Sequence, residues 1–383
     1  MIKWKVYVDN NGTTPLREEV CQLITKTLKC GWANPSSQSD EADEAARLIK
    51  ISREKVCNVL NCSEEEITFT SGGTESNNMV LNSISKLYAK PHIVVSAVEH
   101  DSVSACARNL NKQGLITLTE VELNSDGNIL PEDVCAACTS ETRLVSIMLA
   151  NNETGVVFDV ATITRLVKKE RPGLLVHTDA AQALGKIPVD VSALGVDYLT
   201  LVGHKFYGPR VGALYHRLTA PLLPLLFGGG QECGMRPGTE NTPMIAGLGL
   251  AAQLASQGLS RHSRHMLKCR DYLESRLLET FGDKLVINCK DSPRLPNTSN
   301  FAIFLENCRS VNVLERVKFV ASKGAACHSH TATKPSQNLL NSGVSYEVAM
   351  NSIRVSLGIH NSIEDVDFII EDLIKVTNEL AQL

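Results

Sequence analysis

The chain has no excess of positive charge: 38 Lys and Arg against 42 Asp and Glu leave a formal net charge of -4. Domains that neutralise nucleic-acid phosphates ordinarily show a basic excess, so no nucleic-acid partner is expected. Nowhere are there roughly 18 consecutive apolar residues, the length of a bilayer-spanning helix, so no membrane partner is expected either. The first residues, MIKWKVYVDNNGTTPL, lack the long apolar core of a secretory leader and the Arg/Ser-rich character of a transit peptide, and the expectation is a cytosolic protein. Repeats, low-complexity tracts and obvious disordered linkers are missing too. What is present is an ordinary globular composition, 383 residues with 43% hydrophobic and 21% charged, enough for two lobes. The 12 cysteines are scattered and, without an export signal, read as reduced thiols rather than a disulfide framework. Cys135 and Cys138 have CxxC spacing but no second pair, which favours a helix surface over zinc, and no metal is expected.

Apolar runs such as EITFTS, HIVVSAVEH, RLVSIMLA, GLLVHTDA and YLTLV alternate with helix-like stretches such as EADEAARLIKISREKVCNVL and ATITRLVKKE. That alternation predicts an α/β core, a mostly parallel sheet covered by helices. Beyond about residue 255 come a helical stretch around 263–281, short strand candidates KLVINC and NFAIF, and an amphipathic segment capped by Ser362. This looser order predicts a smaller α+β domain. The expected division is a large domain over 15–255 and a small one formed by 1–14 with 256–383.

Polar clusters stand where strands should end, which is where open α/β sheets gather ligands. In FTSGGTESNNMVLNSISKL a strand passes through Gly72 and Gly73 into a helix, offering backbone N–H groups and the Thr74 hydroxyl to a phosphate. A tight turn with a Ser/Thr cap explains the same residues. Asp179 ends an apolar strand in LLVHTDAAQALGKIPVD, where an acid needs a cation or hydrogen-bond donors, and a buried salt bridge would serve as well. Some 26 residues later another strand ends in GHKFYG with Lys205. An amine can attack an aldehyde, and a carboxylate facing a pyridine nitrogen keeps that ring electron-withdrawing. Phosphate cradle, acid and lysine are together what pyridoxal 5'-phosphate (PLP) requires, although three unrelated features remain an alternative on these residues alone.

The ordered motifs SGGTES, VEH, NNETG, HTDAAQ, GHKFYGP, RPGTEN, GAAC and SIRVSLG make the chain resemble the NifS-like family of cysteine desulfurases and selenocysteine lyases over nearly its whole length. The resemblance implies PLP-dependent fold type I, with a mostly parallel seven-stranded sheet in the large domain. It implies that Lys205 bonds the cofactor, that His100 stacks on its ring, that Asp179 pairs with the ring nitrogen, and that Asn152 and Gln182 lie near its phenolic oxygen. Gly73, Thr74 and His204 would hold the phosphate. Thr239 would reach it from a second subunit, so a homodimer is expected. Arg354 would clamp the substrate carboxylate, helped by Asn34, and Cys327 would act near the substrate sulfur or selenium.

One departure concerns Val202, which offers no hydroxyl where most of these desulfurases have a phosphate-binding serine. Asp101 beside His100 and His328 beside Cys327, together with Val202, match the lyase branch. An acid beside the site would disfavour a thiolate more than a selenolate. An N-cap role for Asp101 and a solvent-facing loop position for His328 are the competing readings. The expected activity is conversion of L-selenocysteine to L-alanine with selenium released as selenide to a reduced acceptor. The alternative is a desulfurase passing sulfur from L-cysteine through a Cys327 persulfide to iron-sulfur assembly or tRNA thiolation.

Overall fold

The computed structural model describes residues 6–323 and 334–382. Two sheets organise these residues. The larger has seven strands in the order β1-β7-β6-β5-β4-β2-β3. They are β1 (Ile67–Thr70), β2 (His92–Ser96), β3 (Thr117–Val121), β4 (Thr142–Ser146), β5 (Leu175–Asp179), β6 (Tyr198–Val202) and β7 (Gly212–His216). Neighbours from β3 through β6 run parallel, and β7 runs antiparallel to both β6 and β1. Strands β2, β5 and β6 are buried at every position, because helices cover both faces. That is why they lack the apolar-polar alternation of a strand with one wet face, and why the polar residues inside them, such as His177, Thr178 and Thr200, are buried and hydrogen-bonded. Edge strand β3, with the sequence TLTEV, is buried only at Val121.

A second, antiparallel sheet has the order β10-β9-β8, from β8 (Leu285–Ile287), β9 (Thr298–Ile303) and β10 (Ser352–Ser356). The helical stretch expected at 263–281 is the second half of a 40-residue helix, Thr242–Phe281. Its first half supplies Ile245, Leu248, Ala251 and Ala255 to the core of the larger sheet. Its second half supplies Cys269, Leu273, Leu277 and Phe281 to the core under the smaller one. The helix lies so close to helix Asp40–Leu60 that a Cβ on Gly249 would stand 2.6 Å from Ser52 Cα, a contact only glycine permits. Position 255 therefore falls inside a continuous helix. The N-terminal segment joins the smaller sheet: Val8 belongs to its core, and Asn10 N–H donates to Ser356 O at 3.1 Å. Among the described residues no helix is long and apolar enough to cross a membrane.

Candidate active site

The carboxyl ends of β5 and β6, the segments after β1 and β2, and residues of β10 and the N-terminal segment close around a cavity of about 270 Å³. Gly73, Thr74, His100, Asn152, Asp179, Gln182, His204, Lys205 and Arg354 all line it. The sheet brings them together because each follows a strand that ends at the same edge, apart from Arg354, which arrives from the second sheet on β10.

Lys205 ends the short turn Gly203–Lys205 that follows β6. Its Nζ donates to the carbonyls of Asn11 at 2.8 Å and Gly12 at 2.7 Å, so the N-terminal segment fixes the amine in the cavity. Asn11 O also accepts from Gln182 Nε2 at 3.0 Å, and Gln182 Oε1 accepts from Lys186 Nζ at 2.9 Å. Burial, and then the charges of Lys205 and Arg354, lower the Lys186 amine from 10.5 to about 7. Asp179 is 6% exposed; its Oδ2 accepts from Asn77 Nδ2 at 2.8 Å and its Oδ1 from Ala181 N at 2.9 Å. His204 Nδ1 lies 3.0 Å from Thr13 Oγ1, and burial followed by Lys205 and Arg210 lowers this imidazole to about 4, so the ring is neutral.

Arg354 is 1% exposed, so its ion pair is a buried one. One guanidinium nitrogen pairs with Asp9 Oδ1, another donates to Asn152 O at 2.9 Å, and Nε has no protein partner. Asn152 Oδ1 is likewise buried without a partner. Buried polar groups in folded proteins are almost always paired. Two orphaned polar atoms within the cavity lining leave hydrogen-bonding capacity there for a polar ligand.

The cavity fits PLP on these grounds. The 15-residue helix Gly73–Leu87 opens on it with Gly73 and Thr74, the polarity an anion needs. Gly73 cannot carry a Cβ, which would stand 2.6 Å from Val202 Cγ2. The side chain in place of a hydroxyl thus packs directly against the phosphate cradle.

Three expected residues are not brought to this cavity. Asn34 is exposed and its Oδ1 accepts from Ser36 N at 3.0 Å, a local turn that holds it away from the lining. Asp101 is exposed at the first position of helix Asp101–Lys112 and is not its cap. His100 fills that role, with Nδ1 accepting from Ser102 N at 3.1 Å. Thr239 is exposed and outside the lining of its own chain's cavity. Cys327 and His328 lie outside the described residues. Cys135 sits on helix Pro131–Ala137 and Cys138 at its end; among the described residues no group of three or more His, Cys, Asp or Glu could hold a metal.

Sequence reasoning missed Asp9, Asn11, Asn77 and Ser102. Asp9 and Arg354 are 345 positions apart, and no local pattern joins them. The one usable signal was the run DNNGTT, polar yet placed directly after an apolar start.

The family described as aminotransferase class-V matches residues 6–369. A selenocysteine lyase of Bos taurus is 45% identical, covering 96% of this chain and 92% of its own length. A cysteine desulfurase, IscS, of Methanosarcina thermophila is 37% identical over 99% of this chain and 93% of its own. A solved NifS-like protein superposes with a TM-score of 0.90 at 34% identity, covering 99% of this chain and all of that one.

Proposed function

The chain belongs to the class-V aminotransferase family, and from that membership we propose that it is a PLP-dependent selenocysteine lyase. It converts L-selenocysteine to L-alanine and passes selenium, as selenide, to a reduced acceptor. The observation that carries this reading is the meeting of Lys205, Asp179, His100 and Arg354 in one cavity, in a chain as similar to selenocysteine lyases as 45% over nearly full length. The desulfurase relatives share less, at 37%.

When bound, PLP supplies a carbonyl carbon that accepts an amine and a ring that withdraws electrons from the substrate's α-carbon. Lys205 would hold the cofactor through its amine and, with that amine free, would move the substrate's α-proton. Asp179, fixed by Asn77 and Ala181, presents its carboxylate to the ring nitrogen. His100 would lie over the ring, with Nδ1 occupied by Ser102 and its proton therefore on Nε2. Arg354, held in place by Asp9, would offer its unpartnered Nε to the substrate carboxylate. Gly73, Thr74 and His204 hold the phosphate, and Asn152 and Gln182 the phenolic oxygen. As the Cβ–Se bond breaks, Cβ takes a proton to give alanine, and two electrons from the reduced acceptor bring the selenium to selenide. Cys327 relays the selenium, as the resemblance implies, with His328 at its side.

The same reading makes the protein a cytosolic homodimer in which Thr239, exposed on its own chain, completes the phosphate site of the other. Purified PLP-loaded protein is expected to release alanine from L-selenocysteine, and Lys205→Ala to release none. Amino transfer to a keto acid in place of alanine release would contradict the proposal.

A further inference from the structure

Asn77 lies one turn into helix Gly73–Leu87 with no exposed surface. Its amide spends both hydrogens: Nδ2 donates to Asp179 Oδ2 at 2.8 Å and to Ser102 Oγ at 2.8 Å. The opposite amide orientation would set Oδ1 against a carboxylate oxygen, two acceptors face to face, so only one orientation is possible. Oδ1 is left buried with no protein partner. Leaving a buried acceptor orphaned is unfavourable, and what the position retains in return is a pair of donors.

Ser102 passes the direction on. The Ser102 backbone N–H donates to His100 Nδ1 at 3.1 Å and so makes that nitrogen an acceptor; the Ser102 hydroxyl, 2.8 Å from it, therefore donates to it while its oxygen accepts from Asn77. With two donors aimed at Nδ1, the ring proton sits on Nε2. Asp179 completes the far end through Ala181 N. The chain of donors starts at one amide and runs both ways, to the acid at the end of β5 and to the histidine after β2.

We propose that Asn77 and Ser102 are positioning residues that join Asp179 and His100 into one directed hydrogen-bonded unit, so that the rotamer of the acid and the tautomer of the histidine are set together. This rests on the assignment of both residues to the cofactor's ring. Ser102→Ala removes the side-chain donor but keeps the backbone cap; Ser102→Thr keeps both; Asn77→Leu keeps volume and removes both amide donors.

The test compares PLP-loaded wild type, these three variants and the Asn77→Leu/Ser102→Ala double variant. The readouts are kcat and KM separately and the visible circular dichroism of the bound cofactor. Ser102→Ala should lower kcat by about 2- to 12-fold, the factor that one neutral hydrogen bond represents, with KM unchanged. Ser102→Thr should recover it. The double variant should lose no more than Asn77→Leu alone, and both single losses should alter the dichroic band. Losses that multiply, equal behaviour of the Ala and Thr variants, or a wild-type band throughout would overturn the coupling. If Asn77→Leu does not fold, the Ala/Thr pair decides alone. Absence of alanine from the wild type would defeat the lyase assignment, while the dichroic comparison would still decide the coupling.

Discussion

Glu99 precedes His100 and is buried, with Oε1 accepting from Ser96 Oγ at 2.6 Å and Met148 N at 2.7 Å and Oε2 without a partner. Burial is the main reason its carboxyl rises from 4.5 to about 8; the charge of Asp179 adds to it, and the two donors oppose it. Between those values the folded chain holds a proton that the unfolded chain does not. Stability must therefore fall as pH rises across that interval, because the native state binds more protons there. Each pH unit of the interval is worth about 1.4 kcal/mol. Allowing for partial titration at both ends, the loss from about pH 5 to about pH 8 is on the order of 3 kcal/mol. Glu99→Gln keeps an acceptor for both donors, resembles the protonated acid in shape, and does not titrate. Urea unfolding of both PLP-loaded proteins at those pH values isolates the effect, since every other group cancels in the difference. The advantage of Glu99→Gln should widen by roughly 3 kcal/mol toward alkaline pH. Parallel profiles would refute a protonated Glu99.

Lys186 gives the mirror case. Its folded value is lowered to about 7, so the unfolded chain binds the extra proton between there and 10.5, and wild-type stability should rise with pH in that window; Lys186→Met should flatten the rise in the same unfolding series. Gly73→Ala should weaken PLP binding by about tenfold or more, measured by cofactor titration, because its Cβ meets Val202 at 2.6 Å, and Val202→Ala should restore part of it. Arg354→Lys keeps charge but loses the planar fork, and KM for L-selenocysteine should rise by about 10- to 100-fold in steady-state assays.

Much of this site was legible because β5 and β6 are buried at every position and so announce their ends: Asp179 and Lys205 are the first acid and the first lysine after largely apolar segments, LLVHT and YLTLVGH. Gly73 and Thr74 were visible for the same reason, at a strand-to-helix turn. Strand β3 was not, since an edge strand needs little apolar character, and β10 was hidden by the arginine at its centre. The supports were least legible of all. Asn11 holds Lys205 across 194 positions and Asn77 holds Asp179 across 102, and such pairings arise only when the sheet edge assembles. The cap on helix Asp101–Lys112 misled in a different way: an Asp before an apolar helix is the commoner cap, yet an imidazole nitrogen one position earlier takes the amide.

The most direct measurement is alanine formation by the PLP-loaded protein from L-selenocysteine and L-cysteine side by side, under reducing and anaerobic conditions. A much higher kcat/KM with the selenium substrate and little turnover of cysteine is the predicted result. Comparable turnover of both would contradict the lyase assignment and make the protein a desulfurase.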